Sequence, residues 1–165
     1  MSDTPVPEIV ADHDEVTVVL GAIDTSALAS RVVDLAARVA RRAFSHTELH
    51  LVHVVRAARF DRPAAAGIRV EDLIDEAQSH LDFHVRMARR QYPSGVTGHL
   101  ATGDPATEII RRARTLRADV LVVGMPETSR LQKLLVGSVA ERLVRRAPCS
   151  VFIVREKQRP YTKIS

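Results

Sequence analysis

Residues 118–138 read ADVLVVGMPETSRLQKLLVGS, and the order of residue types in this stretch decides the fold. Val120-Leu121-Val122-Val123 is apolar and mostly β-branched, which suits a strand buried on both faces. Gly124 ends the run, at a point where the backbone takes positive φ or comes close to a ligand. A polar loop follows from Met125 to Arg130, with Pro126 inside it. A short apolar segment, Leu131 to Val136, then leads to Gly137-Ser138 at the head of another helical pattern. Strand, glycine, loop, glycine with hydroxyl, and helix make an anion site, because backbone N–H groups converge at the helix start. Glu127 breaks the pattern by placing a carboxylate in the loop, where a phosphate would lie.

The flanking sequence extends the same alternation. Val16 to Ile23 is an apolar strand that ends in Asp24-Thr25-Ser26, a source of N-caps for a helix from about Ala27 to Ala43. On that helix Leu28, Val32, Leu35, Ala36, Val39 and Ala43 recur at helical spacing. Glu48 to Val55 is a second strand, and Arg56 to Val70 a surface excursion with Pro63 and Gly67. Glu71 to Tyr92 is a second helix with Ile74, Ala77, Leu81, Val85, Ala88 and Tyr92 inward. Val96 to Ala101 is a third strand. Asp104-Pro105 then caps and opens a helix to about Leu116, with Ile109, Ile110 and Ala113 inward. A last helix after Gly137-Ser138 stops before Pro148, and Ser150 to Arg155 is the fifth strand. Strands alternating with helices imply a parallel, doubly wound α/β sheet of five strands. In such sheets ligands sit beyond the carboxyl ends of the strands, where strand order reverses. Asp24 and Gly124 both lie at such ends.

Composition bounds the rest. The chain has 165 residues, 45% hydrophobic and 27% charged, a balance typical of one soluble domain. We expect a leader over residues 1–14, a domain over 15–156 and a loose tail over 157–165. No apolar run approaches the roughly 20 residues of a membrane span. The acidic, proline-bearing start MSDTPVPEIVADHDE is unlike a secretory signal. Cys149 stands alone, so no internal disulfide forms, which fits the reducing cytoplasm expected as the location. It reads as a small buried hydrophobe. The base behind the net charge of +4 is almost wholly arginine, with pairs such as Arg41-Arg42 and Arg145-Arg146 spread over several helices as solvated faces. Nucleic acid would want clustered bases with aromatic partners, and the four Phe and two Tyr are scattered.

Three segments together carry a resemblance to the universal stress protein family, over roughly Val16 to Arg155. They are the apolar strand ending in Asp24-Thr25-Ser26, the run GDPATEIIRRARTLRADVLVVG from Gly103 to Gly124, and Gly137-Ser138-Val139 followed by ERLVRRAPCSVFIV. The resemblance implies strand order 3-2-1-4-5, as in flavodoxin-like and adenine-nucleotide-hydrolase-like folds. It also implies a cytoplasmic, dimeric stress-response module, paired through the last strand, Ser150 to Arg155. The ATP-binding branch of the family carries glycine, two residues, glycine, nine residues, then glycine with Ser or Thr. Gly124 and Gly137-Ser138 match the outer positions, and Glu127 replaces the middle glycine. By the same resemblance Ile23 and Asp24 approach ribose and adenine, Val123-Gly124 the adenine side, and Gly137, Ser138 and Val139 the phosphates of ATP with Mg²⁺.

A glutamate within about 4 Å of a phosphate repels it by roughly 4 kcal/mol at an effective dielectric near 20, or about three decades of affinity. Two readings therefore stand: a degraded adenine-nucleotide site, or a regulatory interaction protein without nucleotide. Slow ATP hydrolysis or self-phosphorylation is a third, and it lacks a Walker lysine, a nucleophile elbow or a paired-carboxylate motif. His80 and His84, one turn apart, read as helix-surface residues, since no third metal ligand has suitable spacing. His50 and His53 point to opposite faces of their strand, with His53 a satisfied buried histidine.

Overall fold

The computed structural model describes residues 16–42, 46–56, 69–125 and 139–155. Its elements in chain order are β1 (Thr17–Ile23), α1 (Ala29–Arg42), β2 (Thr47–Arg56), α2 (Val70–Gln91), β3 (Val96–Gly103), α3 (Pro105–Thr115), β4 (Val120–Met125), α4 (Val139–Arg146) and β5 (Ser150–Arg155). The strands form one parallel sheet in the order β3-β2-β1-β4-β5, so the reversal falls between β1 and β4. The expected leader, the tail, most of the 56–70 excursion and the loop carrying Glu127, Gly137 and Ser138 lie outside the described residues.

The central strands are apolar on both sides because both sides are covered. On one face Val19, Leu49, Leu51 and Val122 pack under α1 and α2. On the other, Leu20, Val52 and Leu121 pack under α3 and α4 through Ile109, Ala113 and Leu143. The buried stripe of α1 is Ala29, Val32, Val33, Ala36, Ala37 and Ala40, whereas the expected Leu35 and Val39 are only partly buried. The spacing gave the correct period with the phase shifted by about one residue. Small alanines face the sheet so that the helix can approach closely, and the larger side chains pack from its flanks. Gly21 serves the same approach: a Cβ there would stand 2.8 Å from Leu51 Cδ2 and 3.4 Å from Ala36 Cβ.

Helix ends follow local chemistry. Asp104 caps α3 by accepting from Thr107 N at 3.0 Å, with Pro105 as its first residue. The helix closes on a left-handed Arg117, φ 51°, with Arg117 N donating to Arg114 O and Ala118 N to Ala113 O. That geometry favours glycine. Arg117→Gly is expected to raise stability by about 0.5–1 kcal/mol, read as a higher urea midpoint at unchanged slope. Just beyond, Asp119 pins three strands at their start. Its Oδ2 accepts from Val18 N at 2.7 Å, its N donates to Val18 O at 2.9 Å, and its O accepts from Ser150 N at 3.2 Å.

Candidate functional site at the ends of β1 and β4

Parallel pairing aligns Ala22 with Val123 and Ile23 with His53, so the carboxyl ends of β1, β2 and β4 finish side by side. This brings together Ile23 and Asp24 with Val123 and Gly124, as expected of a switch point. Val139 is the first residue of α4 and packs against the second core cluster. Glu127, Gly137 and Ser138 lie outside the described residues.

Asp24 is exposed, and its Oδ1 accepts from both Ser26 N at 3.0 Å and Ser26 Oγ at 2.6 Å. Among the described residues its Oδ2 has no hydrogen-bond partner. The carboxylate is thus braced by its own turn through one oxygen. Asp24 organises this turn rather than capping a helix at Ala27; Ser26 Oγ accepts from Leu28 N, and α1 begins at Ala29. Gly124 lies within β4 and not in the left-handed region. Its role is close approach: a Cβ there would sit 3.2 Å from Leu28 Cβ on α1. Arg31 on α1 reaches β5, with Nη1 donating to Arg155 O at 3.1 Å.

Histidines finish the site on the β2 side. His53 Nδ1 lies 3.0 Å from Ile23 O, His80 Nε2 lies 2.9 Å from Asp24 O, and His84 Nδ1 lies 2.9 Å from His80 O. His53 and His84 are buried and His80 half-buried, which corrects the surface reading of the α2 pair. The cue was present in the sequence: position 84 falls in phase with the inward Ala77, Leu81 and Ala88. Burial pushes the pKa of His53 and of His84 below the ordinary histidine value, and neighbouring imidazoles add to the effect. Among the described residues no group of three or more His, Cys, Asp or Glu is arranged to hold a metal ion.

A second polar cluster lies on the α3 face. His50 bonds to Glu48 Oε2 at 3.1 Å and to His99 Nε2 at 3.0 Å. Burial, with Arg112 and His50 nearby, lowers His99 to about 4. On the same side of the sheet Arg142 of α4 forks onto Asp104 at 2.7 and 2.8 Å, fastening α4 to the start of α3. The guanidinium holds the Asp104 carboxyl well below the usual carboxylate range. Sequence reading missed Arg142, whose partner is distant in the chain.

Comparison with known proteins agrees with this architecture. Residues 15–155 match the profile of the Universal stress protein family. The universal stress protein YxiE of Bacillus subtilis is 30% identical over 145 residues, covering 82% of this chain and 97% of the relative. The universal stress protein UspA of Lactobacillus plantarum shares the fold at a TM-score of 0.66 and 24% identity, over 84% of this chain and 97% of that one. A universal stress protein of Archaeoglobus fulgidus, solved in complex with dAMP, is 26% identical at a TM-score of 0.61, over 84% of this chain and 97% of that one. Among the described residues no helix is long and apolar enough to cross a membrane. Strand order, the paired ends of β1 and β4, and the match over residues 15–155 lead to one conclusion: the chain belongs to the universal stress protein family.

Proposed function

We propose that the chain is a stress-response module that binds an adenine nucleotide in the crevice between the ends of β1 and β4. The observation that carries this reading is Asp24, an exposed carboxylate braced through one oxygen, the other unpartnered among the described residues, at the point where strand order reverses. A ribose diol donates two hydrogen bonds and suits such an acceptor. The dAMP complex of the Archaeoglobus fulgidus relative supports the ligand class. Ile23, Val123 and Gly124 contribute the apolar floor, and Gly137, Ser138 and Val139 the phosphate end. Glu127 disfavours the extra charge of ATP with Mg²⁺ relative to a monophosphate. The module is cytoplasmic and works as a homodimer through β5, whose Phe152 and Ile153 are exposed at 43% and 36%. An edge strand with such side chains invites pairing with a second copy or a regulatory partner. It acts by occupancy rather than turnover.

Calorimetric titration of the dialysed protein tests the reading. AMP is expected to bind, and Asp24→Ala to weaken it about tenfold, the worth of one good hydrogen-bonded contact. Glu127→Gly is expected to tighten ATP–Mg²⁺ by about tenfold or more while leaving AMP nearly unchanged. No heat with either nucleotide at millimolar concentration would overturn the proposal and leave the β5 interaction surface as the function.

A further inference from the structure

The three imidazoles beside Asp24 form a chain of contacts, with ring centroids 5.1 Å apart for His53 and His80 and 4.4 Å apart for His80 and His84. Each ring has one nitrogen against a backbone carbonyl, on Ile23, Asp24 and His80 respectively. A carbonyl oxygen only accepts, so each of those nitrogens carries its hydrogen. In the neutral rings the lone pairs are therefore on His53 Nε2, His80 Nδ1 and His84 Nε2. A proton arriving at any of these atoms breaks none of the three bonds. It adds a donor and a positive charge while the end of β1 stays anchored.

The charged groups around the cluster set the sign of its response. Beyond the end of β1 the Asp24 carboxylate favours a proton on His53; from α2 come the rings of His80 and His84, which oppose it. On this face β3 presents apolar Val96 and Leu100, and Arg31 of α1 is turned toward β5. Rings this close share protons as a unit, since the first charge suppresses the next. Phe83 stands edge-on to His84 on the solvent side. We propose that His53, His80 and His84 bind protons as one unit linked to the crevice at Asp24, so that an anionic nucleotide enters with proton uptake and binds more tightly as pH falls. This rests on the adenine-nucleotide reading above. The nucleotide phosphates add to the negative charge of Asp24, and linkage makes the effect reciprocal: the ligand raises proton affinity, and protons raise ligand affinity.

The test needs only the wild-type chain. Imidazole Cε1–H resonances are followed from pH 8 to 5 without ligand and at saturating AMP. The expected result is that these three rings move to higher midpoints by about half a unit or more with AMP, equivalent to about threefold tighter binding at low pH. The ring of His99, on the opposite face and lowered to about 4, should stay unprotonated through this range with and without AMP. Calorimetry at pH 7.5 and 5.5 in two buffers of different ionisation heat counts the protons taken up. AMP phosphate titrates in the same window, so His80→Gln, which keeps a donor for Asp24 O, is measured alongside. The wild type should take up more proton per AMP and show the steeper gain. Binding with unchanged midpoints, or with equal pH slopes in wild type and variant, overturns the linkage alone. Absence of AMP binding at every pH overturns both the linkage and the nucleotide reading.

Discussion

Gly21→Val is expected to lower the free energy of unfolding by about 3 kcal/mol, through overpacking at the centre of the sheet. The position lies on β1, flanked by β2 and β4. A Cβ there meets Leu51 Cδ2 at 2.8 Å, Ala36 Cβ at 3.4 Å and Val32 Cγ1 at 3.7 Å. Leu51 and Ala36 are fully buried, so neither can move aside far enough for a valine. Valine adds two further methyl groups to that clash, and its strand propensity recovers well under 1 kcal/mol. Thermal melting should fall by about 10 °C, given roughly 2–4 °C per kcal/mol in a domain of this size. Gly21→Ala should cost about 1 kcal/mol, since Leu51 can yield to one atom by changing rotamer. Combining Gly21→Ala with Ala36→Gly should cost less than the sum of the two single changes, because the pair shares one contact. A melting point for Gly21→Val within a degree of wild type would show that α1 is not held to the sheet as closely as described.

The second large effect is expected at Asp119. Asp119→Ala removes the carboxylate oxygen that accepts from Val18 N at 2.7 Å and leaves that amide without a partner at the edge of the core. An unmet buried N–H combined with loss of a charge-assisted bond costs about 2 kcal/mol. Asp119→Asn keeps an acceptor oxygen and should lose well under half as much. Denaturant melts give the energies, and hydrogen exchange at the Val18 amide locates them. If protection of that amide is unchanged in Asp119→Ala, the loss of stability does not arise from this bond.

Periodicity made much of this architecture legible. The apolar run at Val120 is a strand because water-free faces on both sides demand it, and Asp104-Pro105 opens a helix because its cap chemistry is local. Local signals cannot settle phase and partnership. The alanine stripe of α1 took its orientation from how closely the helix approaches Gly21, which no window of spacing reveals. Gly124 offered either positive φ or a ligand's approach, and the structure uses it to admit Leu28. His84 followed the apolar phase of α2 inward because its Nδ1 finds the His80 carbonyl, so burial leaves no donor unmet. The bonds joining His80 to Asp24 and Arg142 to Asp104 span 56 and 38 residues. They depend on which helices share a face, and strand order itself came from family resemblance rather than from the residues.

The bond between Val18 and Asp119 spans 101 residues, and that span carries a consequence for how the chain assembles. Among the described strands β1 comes first in chain order, yet its two edges are completed at very different times. Its β2 edge closes early, with Thr17 opposite Thr47. Its β4 edge must wait for most of the polypeptide, and a loop of that length costs more entropy to close. The buried residues of the core beneath α1 and α2 run from Val19 to Val96, with Val122 the late arrival among them. The core beneath α3 and α4 draws on both halves of the chain. The first three strands can thus gather as a half-sheet with its own helices, and the remainder docks along the open edge of β1. That docking seam is the one whose far end forms the crevice at Asp24 and Gly124. A ligand lodged there would bridge the early and late halves of the molecule and brace the last joint that folding makes.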